Sequence, residues 1–337
     1  MKKLYILLIV FIASLLFAQP TMKFNKWFKT YIPKKKFRIK EPRKLVKIDR
    51  ELTLVFFAVR FAQGEPVYIE IRKSWKHRNK KINRVRFYFD GKYYPLNKYK
   101  NGAYGLFPIK PFNRTGYRKI IIKCLLNGKY LKKYFWLKVR KTWYKKYTGH
   151  LNIGKFSDAN YYKKHRAFIR RSTIKKMMAF RAFTGNYLKQ IKSHPRDVHL
   201  VTSPFYILRR YYSYKWIRGR KIRQRSNYSP HRGLDLYGRT GDRVYAMAPG
   251  RVVLADRLFF EGNMVIINHG NRIFTYYMHL SKLQVSKGQY IRANQVIALA
   301  GSTGISTAAH LHVSLMISGI QVNPLHLLSL PLRKYKR

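Results

Sequence analysis

The sequence contains few acidic residues and a single cysteine. Of its 337 residues, 12 are Asp or Glu against 72 Lys or Arg, which gives a formal net charge of +60. An acidic solubilising tail and a charge-neutral surface are therefore excluded, and an anionic partner is indicated. Because Cys124 stands alone, an intramolecular disulfide framework and a zinc site built from several cysteines are also excluded. Any bound metal would have to be held by histidines and carboxylates.

Long apolar runs are missing after the N-terminus. Residues 1–20 read MKKLYILLIVFIASLLFAQP, in which two lysines precede an apolar run from Leu4 to Phe17. This is the layout of a secretory signal peptide, and the run is shorter than the ~20 residues that cross a bilayer. We predict a signal peptide at residues 1–18, with an uncleaved anchor as the alternative, and export to the periplasm or cell envelope. No later segment is apolar enough to span a membrane.

Positive charge is concentrated in the first part of the chain. Residues 19–200 hold 49 Lys or Arg against 8 Asp or Glu, whereas residues 231–330 hold 9 against 4. We expect a basic N-terminal half that attracts anionic envelope polymers, attached to a near-neutral working domain. High charge and 16% aromatic residues also suggest a nucleic-acid binder. The export signal and the near-neutral C-terminal part argue against a specific nucleic-acid partner.

Residues 45–142 are predicted to form a small, basic β-sandwich domain. Several runs rich in Val, Ile, Phe and Tyr alternate with Lys or Arg, as half-buried strands do. The candidate strands are Thr53–Val59, Val67–Arg72, Arg84–Phe89 and Arg118–Leu125. Asp90-Gly91 and Asn127-Gly128 lie between such runs and are strong two-residue hairpin signals. Cys124 is interpreted as a buried apolar residue of this core.

Residues 143–200 are predicted to be a helical linker. Ser157 and Asp158 can cap a helix, apolar residues follow at helical spacing from Phe168 to Phe183, and Gly185 can end it. We expect these apolar residues to pack on a neighbouring domain. The next segment, Arg209–Arg225, holds eight basic residues and no acidic one. It is interpreted as a loop, and a solvated loop is favoured over a rim that contacts anions.

Residues 201–330 are predicted to form a second β domain. From Val244 onward, short strands are separated by turns that contain glycine, and no long helical pattern interrupts them. Together with the sandwich, this makes the predicted fold mainly β.

Histidines cluster in this second domain, where six of the eleven fall between residues 231 and 326. His310 and His312 are two apart, so in a strand both side chains project to one face, towards one metal ion or one substrate. His231 and Asp235 add an imidazole and a carboxylate on either side of a glycine that allows a tight bend. Two imidazoles and a carboxylate, with a fourth position left for water, form a common catalytic zinc shell. His279 lies in a third motif, Tyr-Met-His-Leu.

The order and spacing of these motifs resemble the M23 (lysostaphin/LytM-type) metallopeptidase family. The resemblance covers roughly residues 201–326 and is carried by six pieces. They read VTSPF (201–205), SPHRGLD (229–235), VYAMAPG (244–250), VIINHG (265–270), YMHL (277–280) and GSTGISTAAHLH (301–312). A lone HxH is a weak signal, whereas the ordered set of HxxxD, HL and HLH is a strong one. One departure is Ala308-Ala309, where the family commonly has Gly-Pro.

The resemblance implies an open antiparallel β-sheet domain, barrel-like in form, that binds one Zn²⁺ per chain. His231, Asp235 and His312 would be the zinc ligands, and His279 and His310 the two histidines that activate water and stabilise the tetrahedral intermediate. The implied activity is a zinc metalloendopeptidase acting on peptidoglycan stem peptides. The alternative is a catalytically inactive LytM-type scaffold or activator of other cell-wall hydrolases.

Overall fold

The first part of the chain folds into two antiparallel sheets that face each other. A computed structural model describes residues 40–332, apart from 78, 100–101, 152, 189–191 and 226–227. The strands of this part are β1 (Arg43–Ile48), β2 (Leu52–Ala58), β3 (Pro66–Lys73), β4 (Ile82–Phe89), β5 (Lys92–Tyr94), β6 (Asn97–Tyr99), β7 (Gly102–Pro108), β8 (Gly116–Leu126) and β9 (Lys129–Val139). The first sheet has the order β1-β2-β3-β7-β6 and the second β5-β4-β8-β9. A 3-10 helix, Trp75–His77, lies between β3 and β4.

The core of this sandwich contains the inward residues of both sheets. Phe56 and Phe107 come from the first sheet, and Phe87 and Ile122 from the second. Cys124 is buried among them, and burial raises the pKa of its thiol to about 11. The thiol is therefore un-ionised at neutral pH and serves as an apolar core residue, as the sequence predicted.

Two tight turns set the register of the second sheet. Asp90 and Gly91 have φ angles of 51° and 79°, and Asn127 and Gly128 have 52° and 84°. Positive φ at both central residues defines the turn that matches the twist of a hairpin, and Asn, Asp and Gly adopt it at least cost. The signals read from the sequence therefore place both hairpins, β4–β5 and β8–β9.

The segment between the two β domains is partly helical. It contains β10 (Lys146–Leu151), a 3-10 helix (Gly154–Ser157), α1 (Ala159–Lys164) and α2 (Arg166–Arg181). The Asp158 carboxylate caps α1 by accepting from the Asn160 amide at 2.9 Å. The strand β10 was not predicted; it pairs with a later strand, so its partner lies outside any local window.

The packing face of α2 also differs from the prediction. Phe180 contacts Phe274 and Tyr276 edge-on, with ring centroids 5.4 and 5.5 Å apart. Met177 and Met178, expected to pack, are exposed. The helix begins after His165 and ends at Arg181, and its buried residues are Ser172 and Ala179.

The remaining strands build the second β domain. They are β11 (Val201–Ser203), β12 (Leu208–Ile217), β13 (Arg220–Arg225), β14 (Ser229–Pro230), β15 (Leu234–Tyr237), β16 (Arg243–Tyr245), β17 (Gly250–Leu258), β18 (Gly262–Asn268), β19 (Ile273–Leu280), β20 (Lys282–Leu283), β21 (Tyr290–Ile291), β22 (Val296–Leu299), β23 (His310–Ile317) and β24 (Ile320–Val322), followed by a 3-10 helix, Pro324–Ser329. The largest sheet has the order β11-β15-β23-β19-β18-β17-β21, with β24 paired to β23. A smaller sheet, β16-β22-β20, accompanies it. The mainly β fold is thus confirmed.

The basic segment Arg209–Arg225 forms a hairpin, so the loop interpretation was wrong. β12 and β13 pair antiparallel from Tyr212↔Arg225 to Ile217↔Arg220, and Arg218 and Gly219 form the turn with φ of 47° and 72°. Aromatic and β-branched residues lie between the charged ones and favour a strand, whereas the loop interpretation considered only the charge. β12 also pairs with β10 and β14, which ties the hairpin to the linker.

The two β domains share an apolar interface. Tyr68 and Leu106 of the sandwich pack with Ile317 and Leu327 of the second domain. Beside them, His326 Nδ1 lies 2.5 Å from the buried carboxylate of Glu65. The interface fixes the sandwich against the second domain. Within the described residues, no helix is both long and apolar enough to cross a membrane.

Candidate metal centre

Two neighbouring strands and the turn before them position three ligand-type side chains. β15 and β23 pair antiparallel, and their register places Asp235 directly opposite His312. Directly opposed residues of an antiparallel pair have their side chains on the same face. His231 precedes β15 by one turn, and its backbone amide donates to the Ile207 carbonyl at 2.9 Å. These contacts bring His231, Asp235 and His312 to one point on the largest sheet.

The three side chains meet through one atom each. His231 Nε2 lies 2.9 Å from His312 Nδ1 and 3.1 Å from Asp235 Oδ1, and His312 Nδ1 lies 3.0 Å from Asp235 Oδ1. All three residues are buried. Four-coordinate zinc with ligand bonds of 2.0–2.1 Å separates its ligand atoms by about 3.3 Å, so this triangle is close to the size that zinc requires.

In His231 and His312, the ring nitrogen that points away from Asp235 makes a hydrogen bond that determines which nitrogen carries the proton. His231 Nδ1 lies 3.3 Å from the Pro204 carbonyl, which can only accept. His312 Nε2 lies 2.9 Å from the Ser314 hydroxyl, which itself donates to the Arg232 carbonyl. Both far nitrogens must therefore carry the proton. The nitrogens that face Asp235 then present lone pairs, as metal ligands do.

The protonation state of the cluster suits a metal. Burial lowers the pKa of His231 to about 3, and burial likewise lowers that of His312. Burial alone would raise the pKa of Asp235, but the Arg209 guanidinium in contact with the carboxylate helps to hold it well below its usual value. Two neutral imidazoles and one carboxylate therefore face each other at neutral pH without a proton between them. These atoms present lone pairs that can coordinate a divalent cation, and the residues fit zinc.

The second oxygen of Asp235 is held by a partly buried arginine. Arg209 Nη2 lies 2.6 Å from Asp235 Oδ2 and also contacts the Ser203 hydroxyl. The ion pair fixes the plane of the carboxylate while Oδ1 faces the imidazoles. Sequence reasoning missed Arg209, because it lies in the segment interpreted as a loop and 26 residues from its partner.

Two further histidines lie beside this cluster. The rings of His279 and His310 are 4.9 Å apart between centroids, and His279 is 6.0 Å from the His312 ring. Their Nδ1 atoms lie 2.8 Å from the Thr303 carbonyl and 2.7 Å from the Ala308 carbonyl. Each Nε2 is therefore unprotonated in the neutral ring, and that of His310 is 3.6 Å from Asp235 Oδ1. The structure thus brings all five predicted site residues together.

The glycine of HRGLD has a different role from the one expected. A Cβ at Gly233 would lie 2.3 Å from both His312 Nε2 and the Ser314 hydroxyl. Gly233 is therefore needed because the His312 ring passes over it, whereas the sequence suggested a bend. The other two histidines of this domain lie away from the cluster: His269 is bonded to Pro249 and Thr275, and His326 to Glu65.

Comparison with known proteins finds a family that part of the chain matches. Residues 229–324 match the model of Peptidase family M23, which confirms the predicted resemblance. A protein from Pseudomonas aeruginosa assigned to peptidase M23 has a similar fold, with a TM-score of 0.53 and 19% identity. That likeness covers 80% of this chain and 96% of that one.

Two curated relatives are similar over part of the chain. The peptidoglycan DD-endopeptidase ShyA of Vibrio cholerae is 43% identical over 95 residues, which are 28% of this chain and 22% of the relative. The DD-carboxypeptidase/endopeptidase Mpg of Neisseria meningitidis is 40% identical over 94 residues, again 28% and 22%. The match thus spans about a fifth of the length of these relatives.

Proposed function

We propose that this protein is a zinc endopeptidase that hydrolyses peptide crosslinks of bacterial peptidoglycan. One observation carries the proposal: three unprotonated acceptor atoms, from His231, Asp235 and His312, converge at 2.9–3.1 Å with two more imidazoles beside them. The named activities of ShyA and Mpg support the substrate. A complete donor set argues against the inactive scaffold, because a scaffold has no chemical need of it.

The residues have distinct roles in this mechanism. His231 Nε2, His312 Nδ1 and Asp235 Oδ1 would hold one zinc ion, with Arg209 fixing the carboxylate. When bound, zinc polarises the scissile carbonyl and lowers the pKa of a water molecule towards ~7. The neutral Nε2 of His279 or His310 accepts a proton from the attacking water and later returns it to the leaving amine. The partner ring, when protonated at Nε2, donates to the developing oxyanion.

The surroundings of His279 set its protonation state. Burial, together with the neighbouring His310 and His312, lowers the pKa of His279 to about 3. His279 is thus neutral at neutral pH and ready to accept a proton. Its own backbone has a φ of 62°, and its amide donates to the Glu261 carbonyl at 2.9 Å. The strained conformation at the end of β19 turns the ring towards His310.

We further propose that the protein acts in the periplasm or cell envelope. Crosslinked peptidoglycan lies outside the cytoplasm, and the signal-peptide pattern of residues 1–18 supports export, although those residues lie outside the described ones. The N-terminal sequence of the protein recovered from the envelope fraction tests this. A chain that begins after Ala18 is expected, and one found in the cytoplasm with Met1 intact would refute it.

Digestion of purified sacculi tests the activity. The purified protein, loaded with one zinc ion per chain, is expected to release fragments whose crosslinks are cut, as read by mass spectrometry. A chelator should stop the release and added Zn²⁺ should restore it. His231→Ala should be inactive, whereas His77→Ala in the sandwich should behave as wild type. Intact crosslinks with the zinc-loaded protein would overturn the proposal.

A further inference from the structure

The outer face of the second sandwich sheet combines exposed aromatic rings with lysines. Strand alternation sends the apolar residues of β8 and β9 into the core and leaves every second residue outside. We name the aromatic–lysine face by six of these outward residues: Tyr117, Lys119, Lys132, Tyr134, Trp136 and Lys138. The two strands pair over eleven residues, which makes a surface roughly 35 Å long.

The rings and the ammonium groups of this face are interleaved. Lys119 lies opposite Trp136, and Tyr117 lies opposite Lys138. The Lys119 ammonium is 4.5 Å from the centre of the Tyr134 ring, and that of Lys132 is 5.4 Å away. These are cation–π distances, so both lysines contact the Tyr134 ring, which remains 42% exposed. Tyr117 remains 66% exposed and Trp136 50% exposed.

No carboxylate of the described residues neutralises these lysines. Residues 43–141 hold 27 Lys or Arg against 5 Asp or Glu. The five carboxylates pair with cations elsewhere: Asp49 and Glu51 with Lys133, Glu65 with Arg60, Glu70 with Arg72, and Asp90 with Arg118. The face therefore joins apolar ring surface to unneutralised positive charge, a combination that fits a linear anionic polymer.

We propose that this face binds the peptidoglycan strand on which the M23 domain acts, an inference that rests on the proposed function. The apolar C–H sides of sugar rings can pack on flat aromatic rings, and the free carboxylates of the stem peptides can pair with the lysines. Outside the basic hairpin Arg209–Arg225, the M23 domain has little charge with which to attract an anionic polymer, since residues 231–330 hold 9 Lys or Arg against 4 Asp or Glu.

The domain interface makes such binding productive. The amide of Asn323 donates to the Gly64 carbonyl at 2.9 Å, and His326 contacts Glu65 at 2.5 Å. Together with the apolar contacts of Tyr68 and Leu106, these bonds hold the sandwich on the M23 domain. A strand bound to the face is therefore tethered to the protein that carries the metal centre, which raises the effective concentration of its crosslinks.

A matched pair of variants tests the proposal in the full-length protein. Trp136→Ala/Lys119→Glu removes one ring and reverses one charge on the face. Trp143→Ala/Lys141→Glu makes the same changes at an exposed ring whose lysine lies 3.8 Å from its centre, after the last strand of the sandwich. Each is made in a His310→Ala background, and binding to intact sacculi is measured by sedimentation. The face variant should bind at least about tenfold more weakly, and the control within about twofold of the parent.

Two further measurements separate the explanations. With His310 restored, both double variants should cleave a soluble crosslinked muropeptide dimer at the parent rate, because a dimer is too short to need the face. Equal sedimentation of the face variant and the control would overturn the proposal. So would a face variant that loses only binding to single-stranded DNA, which also stacks on aromatic rings. Failure of the parent to cleave the dimer would count against the endopeptidase, whereas the sedimentation result concerns the face alone.

A second face variant guards against misfolding. Tyr134→Ala removes a 42%-exposed ring without changing charge and is expected to weaken sedimentation in the same direction. A thermal midpoint equal to that of the parent shows that the fold is kept. Binding by Tyr134→Ala that equals the parent, together with unchanged binding by the double variant, would refute the surface.

Discussion

The Arg209 guanidinium lies 2.6 Å from Asp235 Oδ2, while Oδ1 of the same carboxylate lies 3.0 Å from His312 Nδ1 and 3.1 Å from His231 Nε2. Arg209 thus holds one oxygen of the Asp235 carboxylate, and the other oxygen faces the two imidazoles. Partners of this kind orient a ligand before the metal arrives, so that less freedom is lost on binding. The basic hairpin therefore contributes directly to the centre.

Arg209→Ala is expected to weaken zinc binding by roughly 10- to 100-fold, because Asp235 would lose the bond that fixes its plane. Competition with a chromogenic zinc chelator measures the change. Arg210→Ala, at the next position of β12 with its side chain stacked 4.0 Å from the centre of the Tyr228 ring, is the control. Equal zinc affinity of the Arg209 variant and the parent would show that the ion pair has no part in orienting the ligand.

Variants of a metal-ligand histidine and variants of the two other histidines should differ in the zinc content of the purified protein. His312→Ala removes a ligand and is expected to abolish stoichiometric zinc. His310→Ala and His279→Ala should keep one zinc per chain and lose about 10²- to 10⁴-fold in turnover, the usual contribution of a proton-transfer group. Elemental analysis and muropeptide cleavage report the two quantities. A His310→Ala enzyme with full activity would contradict the role assigned to that ring.

Gly233→Ala is expected to destabilise the centre. The added Cβ would lie 2.3 Å from His312 Nε2, so the ring has to move, at a cost of about 1–3 kcal/mol in the free energy of unfolding. Thermal unfolding with and without zinc should show a lower midpoint and a smaller increase on adding zinc. At Gly185 a Cβ would come no closer than 3.3 Å to a neighbour, which makes Gly185→Ala the matched control.

The zinc-free protein is expected to lose stability as the pH falls from about 6.5 to 4. Burial lowers the pKa of His269 to about 4, so in this range the unfolded chain binds a proton that the folded chain does not. The stabilisation is present above pH 6.5 and disappears as the pH approaches the folded pKa. For His269 it is of order 3 kcal/mol.

Chemical denaturation at several pH values measures this slope. His269→Gln should make the slope shallower, although His194 and His231, whose pKa values burial also lowers, contribute with the same sign. A slope in the His269 variant as steep as that of the parent would contradict the assignment.

Local signals were sufficient for much of the fold. Asp90-Gly91 and Asn127-Gly128 specify hairpins because only a few residue types tolerate positive φ, and alternation in β8 and β9 specifies which side is buried. The motif spacing also brought His310 and His312 to one face of a strand and pointed to His231 and Asp235. The family resemblance added His279 and the division into metal ligands and non-ligand histidines. The strands β12 and β13, by contrast, were interpreted as a loop, because a count of lysines and arginines carries no information on strand propensity.

The sequence by itself determined the mainly β class and the hairpin turns, because each depends on neighbours within a few positions. It also held the motifs from which the five residues of the centre were predicted. Only the tertiary structure decided that Arg209 holds Asp235 and that Gly233 lies beneath the His312 ring. It also decided that β10 pairs with β12 and that lysines of the sandwich lie between exposed aromatic rings. These relationships join residues far apart in the chain. They depend on strand order and packing, which no local pattern of residues specifies.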